Sequence, residues 1–270
     1  MIEEQKGIAE AESLLEDLGF DSLPIIPQEV VSAINCDDFT VVLEPQNFSS
    51  QKILGKALGN SQGALIYINS NIPDIGRLNF TVAHEIGHVC MHIMERQRMQ
   101  FECGNEHFSS QYNDPIEQQA NGFASGLLMP KRLFAKLTDN DMNWSNIKTI
   151  SDHCQSSLQA TFRRISKFSS TPSALVIHKN GNFKSFIASD NFNFFIEKSP
   201  LSTEQKVCLV DMEHEAFPAD FDQVDAADWV NPASKGEKLN TIYNSSILLK
   251  EGFSYSLLTY DDDCLEDTEY

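Results

Sequence analysis

The chain has 270 residues and a formal net charge of −19, with 41% hydrophobic and 22% charged residues. This length allows one large or two modest domains, and the composition is that of a soluble globular protein, which excludes disorder throughout. The negative charge disfavours nucleic acid and anionic membranes as direct partners. The first ten residues are acidic and polar, and no apolar stretch approaches the roughly 20 residues that span a bilayer, so we expect a cytoplasmic protein.

The first 130 residues mix predicted helices with predicted strands. Asn79 is a good N-cap for the third helix, and Pro115 suits the first turn of the fourth. Segment 101–115, rich in Gly, Asn, Ser and His, is predicted to be a loop. By these signals the helices cover residues 8–19, 28–34, 79–96 and 115–129, and strands cover residues 39–43 and 64–68.

The texture of the sequence changes near residue 171. Two more helical stretches, 130–137 and 144–168, come before this point, and short strands are predicted after it, at 174–178, 183–188 and 192–196. We therefore expect one domain over residues 1–170 and a β-rich, acidic domain of unknown role over residues 171–270. Its five phenylalanines between 183 and 195 fit either a core or a ligand-sensing surface.

The six cysteines stand at positions 36, 90, 103, 154, 208 and 264. They form no C-x-x-C pair and show no framework spacing. We interpret them as reduced thiols, and the spacing argues against both a disulfide scaffold and a thiolate zinc site.

Residues 84–88 read His-Glu-Ile-Gly-His, with two histidines four positions apart on a predicted helix. Residues at this spacing share a face and lie about 6 Å apart along the axis, so both imidazoles can bind one cation. Glu85 lies about 100° round the helix from His84, where it can reach water on that cation. The pattern indicates metal-assisted hydrolysis with Glu85 as general base.

Two surface histidines on an amphipathic helix would give the same spacing. The apolar back of this helix and its opposite histidine face favour a metal site. A catalytic zinc needs a third protein ligand and an open fourth position. His92 lies about 12 Å along the axis from His84, too far for the same ion, and is interpreted as a partly buried or supporting histidine. Glu117 is better placed, because it begins a helix whose same face carries small residues that allow close packing.

The stretches RLNFTVAHEIGHVCMH and EQQANGFASGLLMP resemble the ImmA/IrrE family of bacterial metallopeptidases. Weaker similarity covers roughly the first 170 residues. The resemblance implies His84, His88 and Glu117 as metal ligands and Glu85 as the catalytic acid-base. It also implies an α+β fold with a small zincin-like core of the gluzincin type and a helical extension. Zinc is the expected metal, with manganese as the competitor.

Three further residues are weaker candidates. Asn121 follows Glu117 by one helical turn, where it could support a ligating histidine or make an ordinary helix-to-loop hydrogen bond. His107 and Tyr112, both between the two motifs, are the candidates for oxyanion stabilisation.

Segment 144–168 leaves a second function class open. Read as a helix-turn-helix with Arg163, Arg164 and Lys167, it would bind DNA, but three basic residues are few on so acidic a chain, and packing on the peptidase core is preferred. The resemblance implies a helix-turn-helix repressor or antitoxin as substrate, encoded nearby, in a toxin–antitoxin or transcription-regulating switch. The alternative is a non-catalytic regulator or toxin component that binds a protein or DNA partner with the same fold.

Overall fold

The computed structural model describes residues 2–48, 50, 52–95, 99–104, 114–137, 141–231, 233–234 and 237–266. The chain mixes helices and sheets, as expected, and it divides into two compact units. The first comprises Met1–Leu137 with Ile150–Ser157, and the second comprises Thr138–Thr149 with Leu158–Tyr270. This division by packing falls earlier in the chain than residue 171. No helix in the described ranges is both long and apolar enough to cross a membrane.

The first unit combines helices with a four-stranded sheet. Its helices are α1 Ile2–Asp17, α2 Pro27–Ala33, α3 Ile75–His88, α4 Pro115–Leu128 and α5 Lys131–Phe134. Its strands are β1 Thr40–Gln46, β2 Ile53–Asn60, β3 Gly63–Asn69 and β4 Gln100–Gly104, in the order β1-β3-β2-β4. β1 runs parallel to β3, and the other pairs are antiparallel.

The N-cap of helix α3 lies five residues earlier than the one predicted at Asn79. Asp74 caps it instead, because its Oδ1 accepts a hydrogen bond from the Arg77 amide at 2.8 Å. The Asn79 side chain is buried within the helix and donates to Gln155 Oε1 at 3.2 Å. Beyond His88 the chain continues as a π-helical turn, Val89–Ile93, so the helical path ends before the predicted residue 96.

The start of segment 101–115 is a strand rather than a loop. β4 pairs with β2 along one edge of the sheet, and Phe101 and Cys103 on β4 point into the interior. The polar residues that follow β4 made the short alternation of apolar and polar residues in this strand hard to recognise in the sequence. β2 was also missed, because it contains two glycines and lacks the β-branched run that signals a strand.

Very close packing joins α4 to its two neighbouring helices. A Cβ on Gly7 of α1 would lie 1.9 Å from the carbonyl oxygen of Gln119, so only glycine allows this approach of two backbones. On the other side, a Cβ on Gly87 of α3 would lie 3.2 Å from the Cα of Ala120. Small residues thus bring α4 against the helix that carries the histidine motif, as the sequence predicts for this face.

The second unit is built on a larger sheet, ordered β6-β5-β14-β13-β8, with β9 also paired to β13. Its principal strands are β5 Ser173–Lys179, β6 Asn182–Ala188, β7 Phe195–Ile196, β8 Val210–Asp211, β9 Asp222–Asp225, β10 Val230–Asn231, β11 Ala233–Ser234, β12 Glu237–Lys238, β13 Thr241–Leu248 and β14 Phe253–Thr259. The predicted strand 192–196 is reduced to β7. Phe192 and Phe194 belong to the core, whereas Phe195 is 74% exposed.

Segment 144–168 forms two helices, α6 Trp144–Cys154 and α7 Leu158–Ile165, and a short helix, α8 Thr203–Val207, follows later. α7 packs in the second unit, where Gln159 Nε2 donates to Tyr255 Oη at 2.6 Å. Arg164 is 2% exposed and lies over the Phe168 ring, 4.9 Å from its centroid. Burial therefore withdraws one of the three basic residues that a DNA-binding interpretation would use.

Candidate metal centre

Helix α3 places the two histidines of the motif side by side. His84 and His88 are fully buried, and their Nε2 atoms lie 3.0 Å apart. The one-turn spacing predicted from the sequence is therefore present in the structure. Both rings face atoms supplied by β4 and by the first turn of α4.

Glu117 reaches the histidines from the start of α4. Asp114 caps this helix by accepting from the Ile116 amide at 2.9 Å, and Pro115 occupies its first turn. Glu117 Oε2 lies 3.2 Å from His84 Nε2 and 3.6 Å from His88 Nε2. The structure thus brings together the three residues that the sequence proposes as ligands.

Cys103 is a fourth member of the cluster, and the sequence-based interpretation of the cysteines missed it. Its Sγ atom lies 3.3 Å from the Nε2 atoms of both His84 and His88, and 3.9 Å from Glu117 Oε2. The spacing of the cysteines argued against a thiolate ligand, and it was a wrong guide to which donor atoms lie together. The pairing of β4 with β2 brings Cys103 to the histidines, and no local motif predicts this contact. The signal available in the sequence was the two-residue spacing between Phe101 and Cys103, which is typical of a strand with one buried face.

The four donor atoms fit one zinc ion. The six distances among the two Nε2 atoms, Sγ and Oε2 all lie between 3.0 and 3.9 Å. Zinc bonds of about 2.0–2.3 Å in tetrahedral geometry require donors about 3.3–3.6 Å apart. All four residues are buried, so bulk solvent does not screen these electron-rich atoms from one another. A cation bound among them would offset their mutual repulsion.

Glu85 lies beside this cluster and is fully enclosed. Neither of its carboxylate oxygens has a hydrogen-bond partner among the described residues. Gly55 of β2 provides the room, because a Cβ there would stand 2.3 Å from Oε1. Burial raises the pKa of Glu85 well above its usual range, the polar Cys103 thiol opposes this effect, and the Glu117 carboxylate adds to it. An unpartnered carboxylate beside metal donors is typical of a group that acts on water or substrate.

Residues 36–166 match the profile of peptidase family M78, described as the IrrE N-terminal-like domain. The match covers a little under half of the chain, and it shows that this segment resembles an M78 peptidase domain. No curated protein sequence matches the chain. Among solved structures, a Mycobacterium tuberculosis transcriptional regulator has a TM-score of 0.56 and 12% sequence identity, over 94% of this chain and 76% of that protein. That likeness shows a shared fold alone.

Within the segment that matches this family, Asn121 contacts His84. Asn121 Oδ1 lies 3.0 Å from His84 Nδ1 and, as a carbonyl oxygen, can only accept from it. The proton on Nδ1 leaves the lone pair of a neutral ring on Nε2, which faces the other donors. The structure thus places Asn121 where the first of its two predicted roles requires it.

A longer chain of contacts fixes His88. His92 Nδ1 lies 3.0 Å from His88 Nδ1, and His92 Nε2 lies 2.9 Å from Gln119 Oε1. The amide nitrogen of Gln119 donates to the Glu3 carboxylate, so its oxygen is left to accept from His92 Nε2. His92 then accepts at Nδ1 from His88, and the His88 lone pair is held on Nε2. A residue of α1 thereby sets the tautomer of a histidine on α3.

The pKa shifts favour the charge states in which these groups bind a metal. Burial lowers the pKa of His88 to about 3, so its ring is neutral near pH 7, and burial also lowers the pKa of His92. Burial alone would raise the pKa of Glu117, but the His84 and His88 rings outweigh it and hold that pKa below its usual range. Neutral imidazoles and an ionised carboxylate are the forms that bind a metal.

The two oxyanion candidates, His107 and Tyr112, lie outside the described residues. Their predicted role in catalysis stays a prediction.

We expect the purified protein to bind one divalent metal ion per chain. Alanine at His84, His88 or Glu117 should weaken zinc binding by more than the roughly 10–100-fold typical of supporting residues. Calorimetric titration and metal analysis after dialysis measure this. Gln118→Ala, on the same turn of α4, is the matched control and should bind normally. Unchanged zinc affinity in Glu117→Ala would show that this carboxylate is not a ligand.

The contact chain through His92 gives a second expectation. His92→Leu should lower zinc affinity by about 10–100-fold while every donor atom remains, because His88 loses the partner that fixes its tautomer. His153→Leu, which removes an exposed histidine of α6, should leave affinity unchanged. Equal affinities for the two variants, measured by competition with a zinc chelator, would mean that His92 only packs.

Proposed function

We propose that the chain is a zinc-dependent endopeptidase that hydrolyses a peptide bond in a specific protein partner. The observation that carries the proposal is the convergence of His84, His88 and Glu117 beside the unpartnered, buried Glu85, within the segment that matches the M78 family. The packing of α3 on α4 beside the four-stranded sheet supports a zincin-like core of the gluzincin type. The imidazole and thiol donors favour zinc over manganese, which prefers oxygen ligands.

The ligand residues would hold the ion, and Glu85 would move the proton. When bound, the ion would polarise the scissile carbonyl, lower the pKa of the attacking water and favour the ionised form of Glu85. Glu85 accepts the proton of the attacking water and passes it to the leaving amine. Asn121 and His92 keep the histidine lone pairs directed at the ion.

The general-base assignment predicts that Glu85→Gln lowers turnover by a factor of about 10² or more with zinc still bound. Terminal-peptide proteomics of cells that make the wild type or Glu85→Gln identifies the substrate, since cleavage products should appear only with the wild type. The purified substrate then gives turnover for both proteins. Equal cleavage by Glu85→Gln would remove Glu85 from the mechanism.

Gly55→Ala tests the same assignment without changing the carboxylate. Its Cβ would displace the Glu85 side chain, so turnover should fall while zinc affinity is kept. Gly59→Ala is the matched control on β2, because its Cβ would meet Ile93 rather than Glu85. A similar fall in turnover for both variants would point to general damage to the strand.

The proposed substrate is a basic DNA-binding protein of the helix-turn-helix type, such as a repressor or antitoxin, and cleavage would relieve repression. The family resemblance suggests this class, and the charge of the chain supports it. Residues 201–270 contain sixteen acidic and four basic residues, and carry −12 of the net −19. The exposed carboxylates in this region include Glu204, Glu213, Glu215, Asp220, Asp222, Asp228, Glu251 and Asp261. Such a surface would attract a basic partner through solvent.

This steering predicts that cleavage of the substrate slows as salt is raised, since exposed charges are screened over about 10 Å at 0.1 M. The second-order rate constant should fall with ionic strength, and cleavage of an uncharged peptide spanning the same bond should not. The same salt dependence for protein and peptide would contradict recognition through the acidic region.

A non-catalytic regulator remains the second candidate, because the similar solved structure bears the name of a transcriptional regulator. The substrate experiment separates the two. Zinc binding without any product specific to the wild type would favour the regulator.

A further inference from the structure

The candidate centre has one more protein donor than a catalytic zinc uses. A catalytic zinc has three protein ligands and keeps its fourth position for water or substrate, whereas a site with four protein ligands is closed. Cys103 supplies that fourth donor here. Its Sγ atom lies as close to the two histidine nitrogens as they lie to Glu117, at 3.3 Å from each.

The same thiol also lies beside the general base. Cys103 on β4 is the register partner of Gly55 on β2, the residue whose missing side chain makes room for the Glu85 carboxylate. A water molecule that is to be activated must reach both the ion and Glu85. The thiol is fully buried within the same group of donor atoms, so it competes with a water molecule for that place. Zinc also binds thiolate strongly, so the sulfur competes well with water.

We propose that Cys103 is the fourth zinc ligand and holds the centre in a latent form, which opens to water only when the sulfur withdraws. The inference rests on the proposed peptidase function and adds a way in which that activity is restrained. It explains how a buried centre with its proposed ligands and general base is kept from indiscriminate hydrolysis.

The position of Cys103 in the sheet would allow such a withdrawal. β4 is at the end of the sheet order, and among the described strands its pairing partner is β2. The pairing shifts register between Ile53 and Gly55, opposite Gly104 and Cys103, so one residue of β2 is bulged at this point. A strand at an edge, held by an irregular ladder at its end, separates from its neighbour more easily than a central strand. The histidines and Glu117, in contrast, are on packed helices.

Cobalt in place of zinc tests the ligand directly, without any substrate. Cobalt(II) bound by a thiolate shows an intense near-ultraviolet charge-transfer band, which nitrogen and oxygen ligands do not give. We expect this band in the wild type and its loss in both Cys103→Ala and Cys103→Ser, with one cobalt still bound per chain. Cys103→Ser keeps the side-chain volume, so it remains informative if the alanine variant is unstable. Cys90→Ala is the matched control and should keep the band.

The outcomes separate this inference from the proposed function. Cobalt bound without the band in the wild type would overturn the thiolate ligand and leave the peptidase proposal intact. No bound metal in any of these proteins would overturn the proposed function itself.

Turnover on the identified substrate tests the latency. Removal of the sulfur should raise the turnover of Cys103→Ala or Cys103→Ser by about tenfold or more over the wild type. The double variants with Glu85→Gln should stay inactive, which ties the gain to the same centre. Turnover equal to or below that of the wild type in both single variants would overturn the latency.

Discussion

The structure of the first unit depends on four electron-rich atoms that face one another away from water. Two imidazole nitrogens, a carboxylate oxygen and a sulfur lie within 3.9 Å of each other. Burying such groups together is costly unless a cation or protons lie among them. Asn121 and His92 engage the Nδ1 atoms of the histidines, so the lone pairs of neutral rings are directed inward. The buried donor atoms therefore favour the binding of a cation.

Close backbone packing makes this convergence possible. Gly7 lets α1 approach the carbonyl of Gln119, and Gly87 lets α3 approach Ala120. α4 is held between these helices, which fixes both Glu117 and Gln119. The same helix therefore offers a candidate ligand, Glu117, and through Gln119 it contacts His92, the partner of His88. The packing of the helices therefore also orients the candidate ligands.

The sequence was informative where function is encoded locally. Helical spacing alone predicts that His84 and His88 share a face with Glu85 beside them, and the second motif finds Glu117. Contacts between distant strands carry no local signal, so Cys103 and Gly55 became visible only through the pairing of β4 with β2. The start of α3 was misplaced because Asp74 and Asn79 are both good caps, and tertiary contacts of Asn79 decided between them.

X-ray absorption at the zinc edge of the intact protein counts the types of ligand around the bound ion. We expect one zinc per chain with imidazole scattering from two histidines, one oxygen, and one sulfur at about 2.3 Å. A protein that binds no zinc, or a zinc shell without imidazole, would contradict this expectation.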